Sequence, residues 1–143
     1  QIVISGDVSG VEEGITLAKE AGAKRAVQLN VSGAFHSPLM EPAAEELKAF
    51  LDGMEFSDPE FPVIANATAD PVTTGEQAQT LLVRQLVSPV RWTESIKLMT
   101  SSGVDRFLEI GSGKVLTTLN RRNARGLQSS ALGEPEDFNN LEV

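Results

Sequence analysis

Apolar and polar positions along the chain alternate between a period near two and a period near 3.6, the pattern of an α/β protein. Ile2, Val3 and Ile4 form a short β-branched run that ends before Gly6. Ser9 with Glu12 three residues on predicts a capping box, and Val11, Ile15 and Ala18 an apolar helical stripe that stops at Gly22. Val27 and Leu29 alternate with polar neighbours, so residues 1–30 read as one βαβ unit. Further on, Ser37 caps and Pro38 opens a turn. Because a proline at position 42 cannot sit in the fifth position of a regular helix, the helix itself starts near Pro42, with Ala43, Leu47, Phe50 and Leu51 inward and Gly53 as its end. Residues 54–61 read as a loop and Val63-Ile64-Ala65 as a short strand. Thr74 and Gln77 predict a second capping box, opening a helix with Ala78, Leu81, Leu82, Gln85 and Leu86 on one face and ending before Ser88-Pro89. Trp92, Ile96 and Met99 mark another helix, Val104 to Ile110 a strand, Val115, Leu116 and Leu119 a helix, and Leu127 to Leu132 a last extended piece.

Composition narrows the chemistry. The 143 residues include no cysteine, no tyrosine and one histidine, His36. Thiolate catalysis, disulfides and Cys-ligated zinc or iron–sulfur centres are therefore excluded for this chain, and any imidazole chemistry falls to His36. The formal net charge is −8, which opposes a sequence-independent grip on nucleic acid. No apolar run reaches the roughly 18–20 residues of a membrane helix, and the expectation is a soluble, cytoplasmic protein. The stretch after Leu132 holds Glu134, Glu136, Asp137 and Glu142 without Lys or Arg; residues 133–143 read as an acidic, frayed tail. The start, Gln1 at the head of a strand, reads as a point already inside a domain, so that the chain is expected to be part of a longer one.

Two nucleophile or phosphate motifs can be tested by spacing. Gly111-Ser112-Gly113-Lys114 lacks the four-residue gap between glycines of a phosphate loop, and Val115 stands where Ser or Thr belongs. It reads as a tight strand-to-helix turn. No serine has glycine two residues before and two after, so the nucleophile turn of an α/β-hydrolase is absent. No carboxylate spacing points to a metal. Lys114, Arg121, Arg122 and Arg125 stand out in an acidic chain: the three arginines either complement a helix C-terminus or form a landing patch for an acidic partner or a phosphate. His36 lies in a glycine-containing turn before a helix start, a place where side chains are presented to solvent.

The segments AGAKRAVQLNVSGAFHSPLM, LLVRQLVSPVRWTESI, FLEIGSGKVLTTL and SALGEP, in that order, extend across nearly all of the chain. Together they resemble the C-terminal half of the malonyl-CoA:acyl-carrier-protein transacylases, the acyltransferases of fatty acid and polyketide synthesis. The resemblance implies the C-terminal part of an α/β-hydrolase-like acyltransferase domain with part of a ferredoxin-like small subdomain. Residues 1–31 would be the later part of the small subdomain and 32–132 the C-terminal part of the large one. It implies a ping-pong transfer of malonyl from coenzyme A to the phosphopantetheine thiol of acyl carrier protein through a serine ester, with no metal or redox cofactor and the coenzyme A thioester as substrate.

Carried over by resemblance, His36 is the general base and Gln85 the residue whose backbone carbonyl orients it, in the place an Asp holds in a triad. Phe35 matches the form associated with malonyl rather than methylmalonyl selection. The family's serine turn, oxyanion hole and carboxylate-binding arginine belong to the N-terminal half, and Arg84, Arg91 and Arg106 do not replace that arginine. The chain alone is thus expected to be inactive, its partners being malonyl-CoA, acyl carrier protein and the missing half. A non-catalytic half-domain that docks acyl carrier protein through Lys114, Arg121, Arg122 and Arg125 is the competing expectation.

Overall fold

A computed structural model describes residues 1–140. Asn139 and Asn140 end the last described turn; Glu142 of the acidic stretch lies outside the described residues. The chain divides into two compact units, Gln1–Val90 and the remainder from Arg91.

In the first unit, helix α1 (Val8–Glu20) is capped by Asp7, not by Ser9 as the sequence pattern predicts. The Asp7 carboxylate accepts from the Gly10 amide at 2.8 Å and from the Ser9 hydroxyl at 2.7 Å, so Ser9 serves the cap instead of being it. A carboxylate at a helix N-terminus gains from both hydrogen bonds and dipole; the Gly10 amide is the main reason the Asp7 carboxyl is held below its ordinary value. Residues 2–4 and 26–30, predicted as strands, belong to no ladder. Extended backbone becomes a strand only with a hydrogen-bonding neighbour, and none of the described residues provides one. No residue of α1 is buried.

A 3₁₀ turn (Pro38–Met40), capped by Ser37, leads into α2 (Glu41–Leu51), in which Pro42 occupies the first turn. The conflict between Pro38 and Pro42 is thereby resolved as two separate helical pieces. The buried face of α2 holds Ala44 and Leu51, whereas Phe50, assigned inward by periodicity, is 69% exposed. Strands β1 (Val63–Ile64) and β2 (Pro71–Val72) form an antiparallel hairpin. The sequence pattern missed β2 because it opens on a proline.

Helix α3 (Gly75–Arg84) follows, with the Thr74 hydroxyl accepting from the Gln77 amide. The Gln77 side chain reaches back to the Thr73 amide, one residue earlier than the reciprocal arm of a capping box. α3 is fixed at its start by the Asp58 carboxylate, which accepts from Gly75 N–H at 2.8 Å, and in its middle by Gln79, whose amide donates to the Leu51 carbonyl at 2.6 Å.

In the second unit, α4 (Trp92–Ser101) buries Ile96 completely. Strand β3 (Arg106–Ile110), helix α5 (Val115–Asn123) and strand β4 (Gln128–Leu132) form a strand–helix–strand unit with β3 and β4 parallel, Arg106 opposite Gln128 and Ile110 opposite Leu132. Beyond it, Pro135–Asn140 form a 3₁₀ segment. The expected frayed tail is thus ordered as far as this turn, because the Asp137 carboxylate accepts from the Gly133 and Glu134 amides.

Both units leave much apolar surface open. The accessible surface is 10654 Å²; a compact monomer of this mass exposes roughly 7,100 Å², and its two units taken as separate bodies roughly 8,600 Å². Parallel strands are normally covered on both faces, yet Ile110 of β3 is 72% exposed. No helix among the described residues is long and apolar enough to cross a membrane.

Candidate active site

The site is built where the turn before α2 meets the end of α3. A helix leaves its last carbonyls without intrahelical partners. At the end of α3 the amides of Leu86 and Val87 fold back to the Val83 and Arg84 carbonyls at 3.2 and 3.3 Å. The next two carbonyls, of Gln85 and Leu86, are taken by His36. Its backbone N–H donates to Leu86 at 2.9 Å, and its ring Nδ1 lies 2.8 Å from the Gln85 oxygen.

A carbonyl oxygen can only accept, so Nδ1 carries the hydrogen and donates it. In the neutral ring Nε2 is then the unprotonated nitrogen, able to take a proton from a hydroxyl or thiol. Histidine and carbonyl partner, matched by resemblance, are thus brought together from positions 49 apart in the chain. The partner is the backbone of Gln85, which carries no formal charge and fixes the tautomer by geometry alone.

The turn that presents His36 is constrained. His36 has φ +63°, in the left-handed region that non-glycine residues avoid. Such a residue costs about 1–3 kcal/mol and persists only where its surroundings over-determine it. Here they do so through the two bonds to Gln85 and Leu86, just past α3, and through Ser37, a buried residue whose hydroxyl donates to the Ala34 carbonyl at 2.6 Å and accepts from the Leu39 amide at 3.3 Å. The imidazole itself is exposed.

Phe35, immediately before it, is half-exposed, its ring lying over Gly33 so closely that a Cβ there would stand 3.1 Å from the ring edge. The Gln85 side chain, half-buried, is held separately: its Oε1 accepts from the Asn66 amide at 3.0 Å. Sequence reading passed over Asn66, since a polar residue in a hairpin turn carries no mark of a partner 19 positions away.

The basic residues fall at two places. Lys114 is the residue before α5, while Arg121 and Arg122 lie in its last turn and Arg125 just past its end, all exposed. Seven residues of helix separate Lys114 from Arg121 by roughly 10 Å, so the three arginines form the cluster and Lys114 stands apart. The phosphate-loop reading of residues 111–114 meets a direct obstacle. Two of the free amides in the first turn of α5, of Leu116 and Thr117, are occupied by the Glu109 carboxylate at 3.0 and 2.8 Å, and the Thr117 amide above all holds the Glu109 carboxyl below its ordinary value.

Comparison with known proteins identifies the family. The family model for the acyl transferase domain matches residues 1–134. The chain belongs to the acyl transferase domain family. Malonyl CoA-acyl carrier protein transacylase of Bacillus subtilis is 51% identical over 136 residues, which are 95% of this chain and 43% of that protein. The Escherichia coli K12 protein of the same name is 44% identical over 135 residues, 94% of this chain and 44% of its own length. Among solved structures, an acyl carrier protein S-malonyltransferase from Vibrio cholerae superposes with a TM-score of 0.91 at 42% identity, covering 96% of this chain and 45% of that one. A malonyl-transacylase solved in complex with its type II polyketide synthase acyl-carrier protein gives 0.89 at 42% identity, covering 93% and 43%. This acyl transferase chain therefore spans less than half the length of the relatives it matches.

Proposed function

We propose that this chain acts as the C-terminal portion of a malonyl-CoA:acyl-carrier-protein transacylase and supplies its general base, His36. The observation that carries the reading is the Nδ1–H donated to the Gln85 carbonyl, which leaves Nε2 free as acceptor. In the complete enzyme Nε2 removes the proton of a serine hydroxyl as that oxygen attacks the malonyl thioester. The imidazolium then returns the proton to the departing coenzyme A thiolate. In the second half-reaction Nε2 takes the proton of the phosphopantetheine thiol, whose sulfur attacks the malonyl ester, and the proton is handed back to the serine oxygen. The serine turn, the oxyanion hole and the arginine for the malonyl carboxylate are assigned to the remainder of the enzyme; the sequence itself holds no Gly-x-Ser-x-Gly. Phe35, beside the base, is assigned to the acyl pocket.

The domain division follows from the same reading: residues 1–31 as the later part of a ferredoxin-like subdomain, 32–132 as the closing part of an α/β-hydrolase-like domain, and 133–143 as an acidic tail. Two features support it. Extended segments 2–4 and 26–30 flank α1 without a ladder, and the exposed apolar side chains of β3 need covering layers that further sheet and helices would supply. Arg121, Arg122 and Arg125, with Lys114 apart from them, are assigned to docking of the carrier protein; a chain that only docks carrier protein keeps this role without the chemistry.

The test is malonyl transfer from coenzyme A to acyl carrier protein by the full-length protein carrying His36→Ala. Loss of a general base costs about 10²- to 10⁴-fold in kcat; near-normal transfer would remove His36 from the mechanism.

A further inference from the structure

Among the described residues the non-glycine residues with positive φ are His36 and Ala69, at +63° and +58°. They lie 33 positions apart, and both belong to segments that reach Gln85. Ala69 sits in the β1–β2 turn, closed by Ala65 N–H to the Asp70 carbonyl at 3.0 Å, by Ala69 N–H to the Ala65 carbonyl at 2.8 Å and by Asp70 N–H to the Thr68 hydroxyl at 3.3 Å. Ala67 and Ala69 are buried, which anchors the turn from below. Asn66, immediately before Ala67 and exposed, donates its amide to Gln85 Oε1 at 3.0 Å.

We propose that Asn66 is a positioning residue for His36, acting through Gln85, and that the strained β1–β2 turn is the fixed point from which it does so. The proposal rests on His36 being the base of the transacylase. Gln85 is the first residue past α3, where a helix end is free to fray. Its carbonyl sets the direction of the imidazole, while the weak bond from Ser88 N–H at 3.4 Å does little to hold that carbonyl. Tying the Gln85 side chain to a rigid turn restrains the residue through an atom other than the one His36 uses, so that the carbonyl is aimed before substrate arrives. Support of this kind holds a site within the half-ångström that general-base geometry demands.

The experiment is a double-mutant cycle in the full-length protein, with malonyl transfer as readout. Asn66→Ala lowers kcat by roughly 3- to 10-fold, the loss of one net hydrogen bond, and leaves KM for malonyl-CoA within about twofold, because no substrate contact is lost. Gln85→Ala retains the carbonyl and loses the tether, so it has the same effect. The double variant is then no slower than either single one. Multiplying effects, or an Asn66→Ala kcat equal to wild type while His36→Ala is inactive, overturn the positioning role and leave the transacylase reading in place. An active His36→Ala variant overturns that reading itself. A thermal melt of each variant separates tether loss from unfolding: equal midpoints with lowered kcat support the proposal, and kcat losses that follow the midpoints overturn it.

Discussion

Gly75→Ala tests how α3, and with it the Gln85 carbonyl, is positioned. A Cβ at residue 75 would lie 2.0 Å from the Phe56 carbonyl oxygen, 2.6 Å from its carbon and 3.0 Å from the Phe56 Cβ. A carbon and a carbonyl oxygen need about 3.3 Å, so the 52–62 backbone has to retreat by more than an ångström. The two nearest obstructing atoms are main chain and cannot rotate aside. The retreat also strains the 2.8 Å bond from Gly75 N–H to Asp58.

Overpacking of this kind costs about 1–3 kcal/mol, and a weakened hydrogen bond to a carboxylate up to about 1.5–3 kcal/mol more. The better helix propensity of alanine returns less than about 1 kcal/mol. The net expectation is a destabilisation of about 2–4 kcal/mol, which lowers Tm by roughly 5–15 °C at about 2–4 °C per kcal/mol. Differential scanning calorimetry of the full-length protein measures it. Asp58→Ala, which removes the acceptor without a clash, is expected to cost less. A Gly75→Ala midpoint within about 1 °C of wild type, or above that of Asp58→Ala, would refute the close approach as the reason glycine stands there.

Two further outcomes are expected. Phe35→Ser opens space beside the base and over Gly33, so the preference for malonyl- over methylmalonyl-CoA falls by about tenfold, within the range of one methyl group; an unchanged ratio of the two kcat/KM values removes Phe35 from selectivity. Glu109 has its carboxyl lowered from its ordinary 4.5, chiefly by the Thr117 amide, so its cap on α5 is fully present above that value and is lost as pH falls through the lower folded value. Hydrogen exchange at Leu116 and Thr117 is expected to accelerate on that descent beyond the intrinsic rate change and to lose this pH step in Glu109→Gln; identical profiles for the two proteins would discard the cap.

The helices were legible because their signals are local. Thr74, the stripe of Trp92, Ile96 and Met99, and Gly22 after α1 act within a turn or two of themselves. Asp7 displaced Ser9 as a cap because a carboxylate can serve both the Gly10 amide and the Ser9 hydroxyl, which a count of S-x-x-E spacing does not weigh. Strand assignments at residues 2–4 and 26–30 failed for a different reason: β-branched alternation marks a segment able to pair, and pairing depends on another segment being present. Phe50 lies on the open side of α2 for the related reason that periodicity finds an apolar face without saying what covers it.

Within the site, His36 was distinctive as the single imidazole, and Gln85 as a polar residue on an apolar stripe. That the Gln85 backbone does the orienting came from the family resemblance and could not be read from side-chain chemistry, since every residue has a carbonyl. Asn66 was invisible because the contact joins two loops of different elements. The basic cluster was legible as charge, but only the helix geometry separates Lys114 from the arginines.

The central claim is that the Gln85 carbonyl fixes His36 with Nδ1 protonated and Nε2 free. Two-bond ¹⁵N–¹H correlation of the imidazole in the full-length protein near neutral pH tests it most directly, with the His36→Ala spectrum identifying the resonance. The account predicts that the neutral form of the ring carries its hydrogen on Nδ1 and has an unprotonated Nε2. A neutral ring protonated at Nε2 would contradict it, because that nitrogen could then accept no proton from serine or thiol.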